Sequence, residues 1–205
     1  MDADGDIGTS ETSAANGVVP QEHGDDAEPE PGGRQPAFRL TVDIVRLGGD
    51  WSSLEPVEGA VSDVVAALAA EIDIGAEPAT AALALSSNAH VHELNRTHRG
   101  HDKPTNVLSF PAPSIARGED APDFLGDVAI AEETLSLEAI SDGKALRHHF
   151  QHLVLHGLLH LLGFDHETDE DAREMEEIEV AVLARIAVPN PYLQPPTEEQ
   201  QTGHG

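Results

Sequence analysis

Three histidines carry the chemistry this sequence is best equipped for. They lie in His156-Gly-Leu-Leu-His160-Leu-Leu-Gly163-Phe-Asp165-His166, within the most apolar run of the chain. On a helix, residues four apart stack on one face, about 6 Å along the axis at ~1.5 Å per residue. The imidazoles of His156 and His160 can therefore reach one ion. Gly163 is the residue type that ends a helix in a left-handed conformation, and a turn there returns His166 toward the same point. Three neutral imidazoles without a fourth protein ligand describe a catalytic zinc site, one Zn²⁺ per chain, with one position left open. Zinc is a preference within a set, because imidazole also suits other divalent ions.

What such an ion attacks depends on its neighbours. The spacing His-x3-His-x2-Gly-x2-His matches the zinc pattern of metzincin proteases except at its second position. A metalloprotease places a glutamate there as general base, whereas this chain has Gly157, which cannot move a proton. A phosphodiester needs cations instead. Arg99 suits that role, since its planar fork grips two phosphate oxygens, and it is expected to face the metal across a cleft. Lys103 is read either as a second phosphate contact or as a surface lysine. Asp165 either orients a ligand imidazole from behind or caps the turn. Asp102 and Asp127 are read as loop braces without a catalytic role. His152 falls on the same helical stripe; it either supports the metal site or lines the cleft, or is an ordinary hydrogen-bonded helix residue, which is the expected reading.

Four stretches together resemble one family, the YbeY endoribonucleases or rRNA maturation factors. They are the histidine run 156–166, His98-Arg99-Gly-His-Asp102-Lys103-Pro-Thr-Asn106-Val-Leu-Ser109-Phe110-Pro111, Leu125-Gly126-Asp127-Val-Ala-Ile130, and Asn190-Pro191-Tyr192. They occur in the family's order across residues 38 to 193. The resemblance implies a zinc-dependent endoribonuclease specific for single strands, acting in rRNA processing and ribosome quality control. It implies ribosomal RNA and the ribosomal subunit as partners, with no DNA expected, and Arg99 as the catalytic arginine. Two other readings stay open on the residues alone. One is a zinc hydrolase of peptides or other small substrates. The other is a non-catalytic ribosome-assembly factor with structural zinc. The oligomeric state is undetermined.

Composition sets further limits. The chain has 205 residues, no cysteine and a formal net charge of −27, from 11 Lys and Arg against 38 Asp and Glu. Without cysteine there are neither disulfides nor thiolate metal sites, which fits a reducing, cytoplasmic setting. No apolar run reaches the ~18 residues of a membrane span, and no signal segment is expected. The acidic total opposes RNA binding, which rests on Lys and Arg. Location matters more than the sum: Arg96, Arg99 and Lys103 cluster, and Lys144, Arg147, His148 and His149 form a second basic group.

The elements that must position these residues follow from periodicity. Residues 1 to 36 are acidic, rich in Gly and Pro, and predicted to be disordered. Phe38, Leu40, Val42 and Ile44 alternate as a strand, and Trp51 to Glu58 reads as a loop. A helix is predicted from Val57 to Ile72, then a strand over 79–85. A further helix is predicted over 88–98, capped by Ser87 and ended by Gly100. Strands over 105–110 and 124–131 flank a loop over 112–122. A short helix over 132–139 precedes the buried helix Leu146 to Leu162. The last helix, 169–187, places Met175, Ile178, Val182, Leu183 and Ile186 in the core and a glutamate face in solvent. Residues 194 to 205 are predicted to fray. This order predicts an α+β domain over 37–193, a four-stranded mixed sheet with helices packed on it and a zinc-binding central helix.

Overall fold

Four short apolar segments form one sheet in the computed structural model, which describes residues 39–72, 78–112 and 123–193. The expected tails, 1–36 and 194–205, and all but the first residue of the 112–122 loop lie outside the described residues. The strands are β1 (Leu40–Arg46), β2 (Ala79–Ser86), β3 (Val107–Pro111) and β4 (Phe124–Ala131). Their order is β1-β2-β4-β3. The first two contacts are parallel and the last is antiparallel. The sheet is therefore mixed, as predicted.

Five helices cover it: α1 (Val57–Glu71), α2 (Asn88–Arg99), α3 (Glu132–Ser141), α4 (Leu146–Leu161) and α5 (Asp169–Arg185). The period-2 pleat sorts side chains between two cores. Val128 and Ile130 of β4 enter the larger one, with Leu83 and Leu85 of β2 and the apolar faces of α1, α4 and α5. Ala129 and Ala131 point the other way, against Val91 of α2 and Leu108 of β3. Helix α4 contacts α1, α3 and α5 as well as β3 and β4. That setting explains why it is apolar nearly all round.

Gly157 lets α4 lie this close to the sheet. A Cβ there would meet Val128 Cγ1 at 2.6 Å. The position that carries the general base in a metalloprotease is pressed against β4 and has no room for a side chain.

Several boundaries differ from expectation for identifiable reasons. Trp51 is only 4 % exposed. Its ring packs edge-on against Phe150 at 5.8 Å, and its Nε1–H donates to Gly48 O, so this stretch is a packed corner with a single 3₁₀ turn, Ser52–Leu54. Ser87 holds the N-cap position of α2 without a side-chain cap bond. Instead the Asn88 amide donates to Glu133 Oε2 of α3 at 2.8 Å, a tertiary cap that local sequence does not show. Strand β3 begins at Val107, and the side chain of Asn106 before it bonds on both sides. Its Oδ1 accepts from Val107 N, and its Nδ2 donates to Glu138 Oε2 at 2.9 Å.

Candidate metal centre and its surroundings

Helix α4 presents His152, His156 and His160 on one stripe, and the turn after it supplies His166. Gly163 takes a φ of 83°, the left-handed value its position demands. The chain then doubles back so that the ring centroid of His166 lies 5.6 Å from that of His156 and 5.1 Å from that of His160. One ring nitrogen from each of the three lies within 4.8 Å of the others. The structure thus brings together the three histidines that spacing singled out.

Hydrogen bonds settle which nitrogens face inward. His156 Nδ1 is 2.9 Å from Glu179 Oε1, and His160 Nδ1 is 3.0 Å from the carbonyl oxygen of Phe164. A carboxylate and a carbonyl only accept, so both Nδ1 atoms carry the proton. Both Nε2 atoms then hold lone pairs, yet they face each other at 3.1 Å. Two lone pairs at that distance are reconciled by a shared proton or by a metal cation between them. A tetrahedral ion with arms of ~2.0–2.1 Å spaces its ligand atoms about 3.3 Å apart, close to what is observed. The donor set therefore fits a zinc ion. Burial pushes the His160 imidazole down to about 4, and its imidazole neighbours His156 and His166 act in the same direction. At neutral pH that ring is unprotonated and ready to coordinate.

Glu179 is the residue the sequence reading missed. The glutamate face of α5 was expected in solvent, but Glu179 is 0 % exposed. Its carboxylate is surrounded: Oε1 accepts from His156, Oε2 accepts from the Tyr192 hydroxyl, and His152 Nε2 stands 3.5 Å from Oε2. Burial pushes this carboxyl up, but the imidazoles of His152 and His156 and the Tyr192 hydroxyl outweigh it and hold it at about 2. Burial and the facing carboxylate push the Tyr192 phenol well above its usual range. A signal was present, because Glu179 sits four after Met175 and four before Leu183, on the apolar stripe. A charge on a buried stripe has to find partners. His152 departs from its expected role too: neither ring nitrogen has a hydrogen-bond partner among the described residues.

Arg99 closes α2, and Gly100 follows it with a φ of 71°. Nη2 of Arg99 donates to Ser109 O at 2.9 Å, and Ser109 Oγ donates to Gly157 O at 3.3 Å. Two hydrogen bonds thus link the arginine through β3 to the residue beside His156. Among the described residues the other guanidinium donors of this exposed side chain are unengaged and can meet a ligand. The corner after α2 is braced. Buried Asn95 donates to Lys103 O at 2.8 Å, and Asp102 Oδ1 lies 2.8 Å from His92 Nε2. The Lys103 side chain is exposed. Asp165 Oδ1 accepts from the His166 amide at 2.7 Å, the turn contact of its two expected roles.

The model of one family, Endoribonuclease YbeY, matches residues 51–187. The chain belongs to the YbeY endoribonuclease family. Curated members of this family lie close in sequence. An Endoribonuclease YbeY of Rhodopseudomonas palustris (strain BisA53) is 46 % identical over 153 residues, 74 % of this chain and 89 % of that protein. One of Nitrobacter hamburgensis is 47 % identical over 160 residues, covering 77 % and 84 %. One of Chelativorans sp. is 44 % identical over 157 residues, covering 77 % and 94 %. The solution structure of TM1509 from Thermotoga maritima aligns with a TM-score of 0.48 at 24 % identity, over 77 % of this chain and 99 % of that one. Among the described residues no helix is long and apolar enough to cross a membrane.

Proposed function

We propose that this chain is a zinc-dependent, single-strand-specific endoribonuclease acting in rRNA maturation and ribosome quality control. The observation that carries the reading is the pair of Nε2 atoms facing each other at 3.1 Å with their protons held on the far side of each ring. Family membership supports the RNA substrate.

His156, His160 and His166 would hold the ion. Bound zinc supplies Lewis acidity and activates water near neutral pH. The rest is done by the chain's own residues. Glu179 and the Phe164 carbonyl fix two rings in the coordinating tautomer. Arg99 grips non-bridging oxygens of the scissile phosphate, its direction set by Ser109. Lys103 adds a second phosphate contact, and Asp165 holds the turn that presents His166. The absence of a side chain at Gly157 leaves the peptidase reaction without its base. The catalytic unit is residues 37–193, working in the cytoplasm on ribosomal RNA.

The test is metal content together with RNase activity in the purified, chelated and zinc-restored protein, with Arg99→Ala alongside. Cleavage should vanish on chelation and return with zinc. Arg99→Ala should keep its zinc and lose cleavage. Full metal occupancy with no RNA cleavage, and normal ribosome maturation with Arg99→Ala, would overturn the reading. Cleavage of a peptide library would favour a peptidase in its place.

A further inference from the structure

Strand β3 ends the sheet, with α2 packed on one of its faces and α4 on the other. Arg99 reaches across this edge strand. Its guanidinium donates to Ser109 O, and Ser109 Oγ donates to Gly157 O beside His156. The next residue on each element makes a second contact. His98, just before Arg99 in α2, and Phe110, just after Ser109 in β3, meet edge-on with ring centroids 5.4 Å apart. His98 is exposed and Phe110 half-buried. Two rings therefore stand at the surface, one residue away from the arginine and from the carbonyl that directs it.

The groups around these rings decide what they can hold. Arg96 gives Nε and Nη2 to Glu93, and His92 Nε2 lies 2.8 Å from Asp102 Oδ1, so both are matched. Phe110 stands opposite Asp127 of β4. Directly opposite residues share a face of the sheet, and Asp127 is exposed. The neighbour of the Phe110 ring is thus a carboxylate. It repels a phosphate but not an uncharged base, and it accepts hydrogen bonds from base amino groups.

Unpaired bases are held by stacking on aromatic side chains, next to cations that track the backbone. We propose that His98 and Phe110 form a stacking platform for the base of the nucleotide next to the phosphate held by Arg99. The inference rests on the ribonuclease reading above and deepens it by placing a base of the substrate. A base on this platform has left its own stack, so a duplex must give up a pair to occupy it and single strands are favoured. Every base has a π-face, so the platform tolerates different sequences.

The zinc-loaded full chain is tested on single-stranded oligoribonucleotides in which one abasic residue is moved along the sequence. Binding is read by fluorescence anisotropy before cleavage proceeds, and the cleaved bond is mapped on the same strands. An abasic residue adjoining that bond should weaken binding about tenfold, a loss within the range for one stacked base. His98→Ala should weaken binding of the intact strand by a similar factor and erase the abasic difference, with zinc content unchanged. His98→Tyr keeps a ring and should restore both, whereas Phe110→Leu keeps an apolar side chain and should act in the direction of His98→Ala. Salt separates stacking from charge. The slope of log affinity against log salt should be the same in His98→Ala as in the wild type, while Arg99→Ala should flatten it by about 0.7. A flatter slope in His98→Ala would overturn the proposal and make His98 a phosphate contact. An abasic difference that survives in His98→Ala would overturn it as well. Cleavage that depends on zinc and Arg99, with no abasic-sensitive position, would sink the platform alone. An abasic difference erased by His98→Ala, without any cleavage, would sink the ribonuclease reading and leave the platform standing.

Discussion

The two ends of the α4 histidine stripe contrast sharply. At the C-terminal end, His156 and His160 each give their Nδ1 proton to a fixed acceptor, so their Nε2 atoms converge as lone pairs. At the N-terminal end, His149 donates its Nε2–H to Glu138, its Nδ1 and that of His152 have no hydrogen-bond partner among the described residues, and His152 Nε2 stands 3.5 Å from Glu179 Oε2. The residue type and the helix are the same. What differs is the element packed behind each ring: α5 and the 163–166 turn at one end, α3 and the segment after α5 at the other. An imidazole's role is set by the acceptor that claims its first nitrogen.

The contrast breaks most completely at the metal end. His160→Ala should abolish zinc binding and RNA cleavage together, a loss greater than the 10–100-fold typical of removing a residue that orients a ligand. Metal analysis and an RNase assay on the same preparation check it, and a variant that keeps its zinc would refute the coordination scheme.

Removing the acceptor behind a ligand should act less strongly. Glu179→Gln retains the shape but not the charge, and zinc affinity should fall by about 10–100-fold, read by competition with a chelator. Tyr192→Phe frees one lone pair of Glu179 without removing the carboxylate, so its effect on zinc affinity should be smaller than that of Glu179→Gln.

The distance of α4 from the sheet can be tested separately. Gly157→Ala puts a methyl 2.6 Å from Val128 Cγ1, and overpacking of this kind costs about 1–3 kcal/mol. Urea unfolding should show that loss, and adding Val128→Ala should recover part of it.

The smallest effect concerns pH at the other end. Burial holds His149 below the ordinary histidine value of 6.5, against the pull of Glu138. The unfolded chain takes up this proton near 6.5 and the folded one only lower. Stability from this group is therefore complete above 6.5 and drains away as pH falls toward the folded value, by at most about 1.4 kcal/mol per pH unit. His149→Gln should lose less stability than the wild type between pH 7 and 5.5. Parallel curves would show that His149 titrates normally.

Much of this molecule is written locally. Alternation in 40–46, the apolar run that ends 124–131 and the i, i+4 apolar stripes of α1, α4 and α5 indicate these elements of a mixed α+β sheet. Gly100 and Gly163 mark two helix ends because only their left-handed φ lets the chain turn there. The spacing of His156, His160 and His166 names the metal candidates, since helical geometry and one glycine turn suffice to converge them. Other features depended on partners far along the chain. The Asn88 amide is capped by Glu133, Asn106 answers Glu138, and Trp51 meets Phe150, each a meeting of separate elements. Glu179 is the plainest case. In sequence it is one glutamate among many on an acidic helix, and only the packing of α5 against α4 removes it from water and aims it at His156. Periodicity reports which face of an element is apolar. It is silent on which polar atom of another element will be waiting there, because that is decided when the faces meet.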